Sequence, residues 1–354
     1  MAVTSSTSPV RFDFMLPPSL EAHVPPEARG LTRDAVRLMV ARRSSRQLIH
    51  AAFRDLPDFL PAGSVLVLNT SATLPASLPA RATDGSLLEL HLSTPFPGGT
   101  GDLWTVELRR GSARFLDGRL GEMLFLPAGG TALILDAYPE PEDVCLPHSS
   151  RLWTARLRLA CPLPTYLAQY GAPIRYGHIQ GEWPVSAYQT AYGRRPGSAE
   201  MPSAGRPFTR DLLARLRRQG VEIVELVLNT GVSSQEADEV PFPEYYDVPA
   251  QTLERVRQAR MDGRLVVATG TTAVRAIESA ARGPLRGWTN LVITPDNPPR
   301  LINGLITGWH EPQASHLMML EAIAGRQLLE SSYAEAVKEG YLWHEFGDSE
   351  LILP

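Results

Sequence analysis

The stretch LVVATGTTAVRAIESAAR, residues 265–282, decides the fold class. Residues 265–269 form a short apolar run that reads as a buried strand. The pattern breaks at Gly270-Thr271-Thr272, and apolar positions then recur at helical spacing through AVRAIESAAR. A strand that turns directly into a helix is the repeating unit of an α/β layer. It also brings backbone N–H groups and two threonine hydroxyls to a helix N-terminus beside a strand's carboxyl end, where open α/β sheets bind ligands. Gly270, Thr271 and Thr272 are therefore candidate substrate-binding residues, with a plain N-cap by Thr271 or Thr272 as the simpler alternative. Arg275, one turn into the helix, is placed either to reach a ligand carboxylate or to be solvated. The turn is neither a GxGxxG fingerprint nor a GxxxxGK[ST] loop, and no glycine-rich ExGxGxG stretch occurs.

The same alternation continues on both sides. Upstream, SVLVL at 64–68 is a buried strand ending in Asn69-Thr70-Ser71. TRDLLARLRRQG at 209–220 predicts a helix with Thr209 as N-cap, Leu212, Leu213 and Leu216 inward and Gly220 as the stop. Arg210, Arg215, Arg217 and Arg218 fall on its polar faces, as a solvated surface or as RNA phosphate contacts. VEIVELVL at 221–228 is a strand, residues 251–262 a helix, and LVIT at 291–294 a return to the sheet. Residues 314–329 read as one helix with Ala314, Leu317, Leu320, Ala324 and Leu328 inward. Between residues 73 and 159 the texture differs. Leu88, Leu90 and Leu92 interleave with Glu89 and His91, and LWTVEL, EMLFL, TALIL and RLWTARLRL follow between Gly and Pro turns. Period-2 segments at this spacing predict a small barrel or sandwich. The expected architecture is a discontinuous α/β domain, 10–72 and 160–354, interrupted by an inserted β-barrel-like domain over 73–159.

With 354 residues, 44% of them hydrophobic and 20% charged, the chain is long enough for two cored domains. No apolar run approaches the roughly 20 residues that span a bilayer, and MAVTSSTSPVRFDF lacks the blocks of a signal peptide, so the expected compartment is the cytoplasm. Cys145 and Cys161 are the two cysteines, too few for a zinc or iron–sulfur cluster and too far apart for a redox pair; both read as buried thiols. Lys338 is the sole lysine, which narrows Schiff-base or P-loop chemistry to one surface position. A net charge of −4 and a pI near 6.1 argue against a generic nucleic-acid binder.

His310 precedes Pro312, which suits the first turn of a helix, where a positive helix end would keep the imidazole neutral and competent as a general base. A structural histidine beside Trp309 is the alternative. His344, Glu345 and Asp348 in WHEFGD form a second polar cluster, in which Asp348 could close an Asx-turn. His316, inside the expected helix, reads as structural. No His, Asp and Glu set has metal-ligand spacing, so no metal is expected.

Taken in order, FDFMLPPSL, LVLNTSATLPASL, PLPTYL, AYQTAYG, PSAGRPFT, ATGTTAVRAIE, GWTNLVITP, LITGWHEPQASHLMML and the terminal FGDSELIL resemble the S-adenosylmethionine:tRNA ribosyltransferase-isomerase family of queuosine biosynthesis. The resemblance runs from residue 12 to residue 353. It implies transfer and isomerisation of the ribosyl moiety of S-adenosylmethionine onto an aminomethyl-deazaguanine in a tRNA anticodon, with release of adenine and methionine. S-adenosylmethionine is then a substrate, and metal is not required. The matching positions implied for substrate binding are Asn69, Tyr188, Gln189, Ser203, Gly205, Phe208, Thr209, Gly270, Thr271, Thr272 and Arg275, with His310 and Asp348 as catalytic candidates. This sequence departs from the family pattern at defined places. NDTRVIPARL reads NTSATLPASL, with Thr70 for an acidic residue and Ala72 and Ser77 for arginines. PTAGLHFT reads PSAGRPFT, with Arg206 for leucine and Pro207 for histidine. Asn229 replaces another histidine, and TNFHLP reads TGWHEP, which keeps His310 and adds Glu311. Three functions follow as alternatives: the family reaction on tRNA, an S-adenosylmethionine-consuming transferase or lyase acting on a small molecule, and a non-catalytic ligand-binding paralogue.

Overall fold

In a computed structural model of the chain, the described residues are 14–111, 113–139, 150–232, 241–312, 314 and 316–354. In chain order the strands are β1 (Arg37–Arg42), β2 (Leu48–Ala52), β3 (Val65–Asn69), β4 (Ser71–Thr73), β5 (Ser77–Arg81), β6 (Leu87–Pro95), β7 (Leu103–Arg110), β8 (Ala113–Arg114), β9 (Met123–Phe125), β10 (Thr131–Tyr138) and β11 (Leu152–Arg158). After helix α1 (Leu163–Tyr170) come β12 (Arg195–Ser198), α2 (Arg210–Arg218), β13 (Glu222–Leu228), β14 (Glu244–Asp247), α3 (Ala250–Met261), β15 (Val266–Thr269) and α4 (Gly270–Arg282). The series closes with β16 (Arg286–Thr289), β17 (Gly304–Gly308), α5 (His316–Ala324), α6 (Arg326–Lys338) and β18 (Ser349–Leu353).

Two compact units result. The first comprises the described residues up to 70, 203–227 and 241–354, and is a nine-stranded sheet in the order β16-β14-β13-β3-β15-β17-β18-β1-β2. Its centre is parallel: β3 runs alongside β13 on one side and β15 on the other, and β15 alongside β17. A strand flanked on both sides and covered on both faces must be apolar throughout, which is why VLVLN is buried at every position. β18 is antiparallel to β17 and parallel to β1. Thr209 caps α2 through a bond from the Leu212 N–H (3.1 Å). Leu212, Leu213 and Leu216 are buried, which stabilises the fold by about 1.5–3 kcal/mol per side chain. Arg210, Arg217 and Arg218 are exposed.

Two expectations are corrected in this unit, and one, for Cys161, in the second. LVIT at 291–294 is not a strand. The backbone leaves β16 when the Thr289 hydroxyl accepts the Leu291 N–H (3.1 Å), and Thr294 and Asn297 then close a turn around Pro295 and Asp296. The sheet position beside β15 belongs to β17, whose sequence GLITG is flanked by glycines that disguise it. The helix expected over 314–329 is two helices, broken at Gly325, whose φ of 78° only glycine adopts readily. Cys161 is half-buried rather than buried, and Cys145 lies outside the described residues.

The second unit comprises the described residues of 71–202 and 228–232. Strands β11-β10-β9-β5-β6-β7 form a six-stranded barrel, closed by pairing of β7 with β11. Leu78, Leu90, Leu92, Val106, Leu108, Ile134 and Ala155 are fully buried, in line with the period-2 reading. On the opposite parity, His91, Glu107 and Arg109 are also buried. Glu107 meets Arg151 at 3.1 Å, and His91 and Arg109 each at 3.3 Å. Burial opposes the charge on Glu107, but His91 and the two arginines hold its carboxyl down at about 2. No helix of the described residues is long and apolar enough to cross a membrane.

Candidate functional site

The first unit collects the polar candidates at the carboxyl ends of its parallel strands. β15 delivers the chain to Gly270, whose φ of +83° lets α4 start without a linker. A Cβ there would lie 3.4 Å from that of Ala204, so conformation rather than space demands the glycine. Neither Thr271 nor Thr272 is the N-cap. That position is Thr269, which makes no side-chain cap bond, and its hydroxyl is buried without a hydrogen-bond partner among the described residues. Thr272 instead accepts a bond from the Asn69 amide at the end of β3 (3.3 Å). Ser203–Gly205 form a 3₁₀ turn packed against both α4 and β17. Asn69, the Gly270–Thr272 turn and Ser203–Gly205 thus share one edge of the sheet, where open α/β folds take ligands.

Arg275 does not face that edge. Its Nε donates to the Leu291 carbonyl (3.1 Å), its Nη2 to the carbonyls of Phe242 and Thr289 (3.1 Å each), and its Nη1 pairs with Glu244. Four of its five N–H donors are used inside the protein, and the residue is 5% exposed, so a ligand carboxylate would have to displace this network. Phe208 and Thr209 likewise serve the fold. Phe208 meets Phe53 edge-on at 4.9 Å, and the Thr209 hydroxyl both caps α2 and donates to Asp34 (3.2 Å).

His310 lies two residues beyond β17. The Thr307 hydroxyl is within reach of the Gly308 carbonyl (3.1 Å) and of His310 Nε2 (3.1 Å). With its proton assigned to Gly308, the Thr307 oxygen accepts from Nε2–H, and the lone pair of His310 sits on Nδ1. The backbone is tied on both sides, the N–H to the Tyr333 hydroxyl (3.3 Å) and the carbonyl to the Trp343 indole (3.1 Å). The ring stacks on His316 at 4.5 Å, nearly coplanar in orientation. Burial first, then His316 and His344, hold His310 well below the usual histidine range. The expected neutrality is present, but its expected cause is not. α5 begins six residues later, at His316, so no helix start lies at His310. His316, also expected to be structural, is held down to about 4, mainly by burial and also by Arg275.

Asp348 takes the backbone N–H groups of Arg37 and Leu342, both at 2.8 Å. Burial raises its carboxyl above the ordinary value, and those two bonds offset part of the rise. A carboxylate engaged in this way fastens the 342–348 loop to β1. It also lines an open surface cleft together with Ser203, Arg33, Arg206, Gly308, His344 and Glu345. Sequence reading missed Arg33 because nothing local distinguishes it from other surface arginines.

Tyr188 and Gln189 belong to the second unit. The Gln189 amide clamps both backbone groups of Thr73, at 3.0 and 2.7 Å, and the Tyr188 carbonyl accepts the Thr73 hydroxyl (2.7 Å). Asn229 accepts the Ser71 hydroxyl (2.9 Å). Among the described residues, no group of three or more His, Cys, Asp or Glu is arranged to hold a metal ion.

Comparison with known proteins adds an independent line. The family profile described as queuosine biosynthesis protein matches residues 10–352. The S-adenosylmethionine:tRNA ribosyltransferase-isomerase of Thermotoga maritima is 34% identical, with 97% of this chain and 98% of that protein aligned. The Thermus thermophilus protein of the same name is 35% identical over the same shares. A crystal structure of S-adenosylmethionine tRNA ribosyltransferase from Thermotoga maritima superposes with a TM-score of 0.53 at 30% identity, covering 97% of this chain and 99% of that one.

Proposed function

Because the chain belongs to the queuosine biosynthesis protein family, we propose that it is an S-adenosylmethionine-dependent transferase-isomerase, moving the ribosyl moiety of that substrate to an amine acceptor with loss of adenine and methionine. The observation that carries this reading is the grouping at the carboxyl ends of β3, β15 and β17. There, the Asn69 amide bonds Thr272 of the Gly270–Thr272 turn, and two residues beyond β17 stands a histidine that is neutral near pH 7. The sulfonium acidifies the adjacent C5′ protons, and His310 Nδ1 takes one, forming the ylide from which ribose opening and adenine loss proceed. A low pKa keeps the imidazole in its basic form but weakens it as a base, so the sulfonium has to supply most of the acidity.

A small acceptor in place of tRNA is a second reading, favoured by what fills the divergent positions. Thr70 is buried with its hydroxyl on the Leu226 carbonyl (3.0 Å), Ala72, Ser77 and Pro207 are buried, and Asn229 bonds Ser71. None of them offers a cation to phosphate or an imidazole to proton transfer. The deciding experiment incubates purified protein with S-adenosylmethionine and follows adenine and methionine by mass spectrometry, alone, with tRNA carrying the aminomethyl-deazaguanine, and with free deazaguanines. Release that needs the tRNA supports the family reaction, and release with the free bases supports the small acceptor. Release with neither points to a lyase. Binding without release in every arm would overturn the enzymatic reading.

A further inference from the structure

The pocket beside this site has two walls of opposite charge. On one, Glu27 bridges two guanidiniums, through Oε1 to Arg33 (3.4 Å) and through Oε2 to Arg206 (2.8 Å). Arg206 is only 3% exposed in its side chain, and its guanidinium carbon lies 4.9 Å over the Phe346 ring, which fixes the plane of the fork. Arg33, at 24%, opens to solvent. The other wall is the 342–348 loop, which presents Glu345 and His344. That loop is held in a conformation it would not choose alone. His344 has a φ of 72°, unusual for a residue with a side chain, and Gly347 admits nothing larger, since a Cβ there would come within 2.3 Å of the Leu342 carbonyl. The two N–H bonds to Asp348 keep the loop folded. Backbone strain maintained in this way clusters at ligand sites. Gly308 also lines the pocket, and a Cβ there would meet no atom within 4 Å, so open space adjoins it.

We infer that this pocket is a subsite for the zwitterionic head of an α-amino acid, with the carboxylate on Arg33 and Arg206 and the ammonium facing Glu345. A lone phosphate would be repelled by one wall and a simple cation by the other, whereas an α-amino carboxylate presents both charges a short distance apart. Arg275, the cation beside the Gly270–Thr272 turn, is engaged inside the protein and is not part of this pocket's lining, whereas Arg33 and Arg206 line it while both hold Glu27. The amino-acid head has two sources. It is the methionine end of S-adenosylmethionine, which rests on the proposed function, or an amino-acid acceptor bound alongside it. Arg206 stands where the family motif has leucine, so the second guanidinium is a feature of this chain.

Titration calorimetry on the full-length protein separates these cases. The probes are S-adenosylmethionine, its decarboxylated analogue, and single L-amino acids screened with and without saturating S-adenosylmethionine. If the head is that of S-adenosylmethionine, wild type prefers it over the decarboxylated analogue by roughly 10- to 100-fold, the loss expected for a charge-assisted bond pair. Arg33→Gln and Arg206→Leu then abolish that preference while leaving the analogue's affinity alone, which a folding defect would not do. If the head is that of an acceptor, an amino acid binds the loaded protein and loses a similar factor in both variants and in Glu345→Gln. A protein that fails to bind S-adenosylmethionine at all sinks the proposed function, and the amino-acid arm still decides the subsite. The inference is overturned if neither the carboxylate preference nor any amino-acid affinity responds to these substitutions.

Discussion

Replacing Glu350 by glutamine should change the pH dependence of stability in a defined direction. Glu350 lies mid-strand in β18, opposite Thr307 and beside Met39, and is 1% exposed. Burial pushes its carboxyl up from 4.5 to about 7, with the Ser332 hydroxyl offsetting part of the shift. Between those values the native protein holds a proton that the unfolded chain has released, so stability falls as pH rises through the window. The difference, 7 − 4.5 or 2.5 units, corresponds to on the order of 3 kcal/mol lost above pH 7. Glutamine keeps the shape and cannot ionise. Glu350→Gln should therefore match wild type within about 1 kcal/mol at acid pH and exceed it by on the order of 3 kcal/mol above neutrality. His316 works in the opposite sense: with its pKa lowered to about 4, stability rises with pH between about 4 and 6.5. The wild-type profile alone would be blurred by this opposition, whereas the difference between the two proteins isolates Glu350. Urea unfolding followed by tryptophan fluorescence is the assay, because Trp309 and Trp343 are fully buried in the same unit. A stability difference that stays flat from acid to alkaline pH, or that grows toward acid, would refute the reasoning.

His310→Gln should retain S-adenosylmethionine binding and lose about 10²–10⁴-fold in turnover. The wild-type rate should rise with pH through a value below the ordinary histidine range, because burial lowers that pKa, and be level by neutrality; unchanged deuterium incorporation at C5′ in the variant would assign the base elsewhere. Asp348→Asn should cost roughly 1–3 kcal/mol, since one of two buried N–H groups loses its acceptor, and should weaken amino-acid-head binding through the 342–348 loop; a loss of unfolding free energy in urea below about a few tenths of a kcal/mol would count against that fastening role. Arg275→Met should destabilise the first unit by about 3–5 kcal/mol by stranding Glu244, and any folded variant should keep the preference of S-adenosylmethionine over its decarboxylated analogue, which calorimetry can check. Unmodified tRNA should associate weakly and with steep salt dependence, given the net charge of −4; filter binding that stays nanomolar at physiological salt would restore the tRNA acceptor.

What could be read from sequence was what local chemistry determines. β3, β13 and β15 are apolar runs, and α2 carries its own cap and stop, so each is legible from a few neighbours. β17 and β18 were not, because GLITG hides between glycines and SELIL carries a glutamate that is buried only by the folded surroundings of the strand. The helix break at Gly325 is a single-residue event inside a continuous apolar pattern. The site shows the same division. Gly270–Thr272 was recognisable as a strand-to-helix turn, but the engagement of Arg275 by carbonyls of Phe242, Thr289 and Leu291 depends on chain that arrives from elsewhere. The pairing of Arg33 with Arg206 through Glu27 is invisible for the same reason: the two arginines share no local pattern. Alternation along β6 and β7 marked one barrel face, but parity says which residues share a side and not what later covers it, so the burial of His91, Glu107 and Arg109 was not legible.

The position of β18 between β17 and β1 has a consequence for how the protein is made. Asp348 fastens to the Arg37 N–H across 311 positions of sequence, and the neighbouring residues pair in register. At about 5–20 residues per second, a ribosome leaves β1 waiting roughly 15–60 s for its central partner. Throughout that interval the β1–β2 hairpin presents an unpaired apolar edge, the kind of surface that invites pairing with another chain. The inserted barrel, built mainly from nearby segments, has no such wait. Synthesis thus passes through a stage in which one unit is complete while the nine-stranded sheet, and the site at its edge, still lacks the strand that joins its two halves.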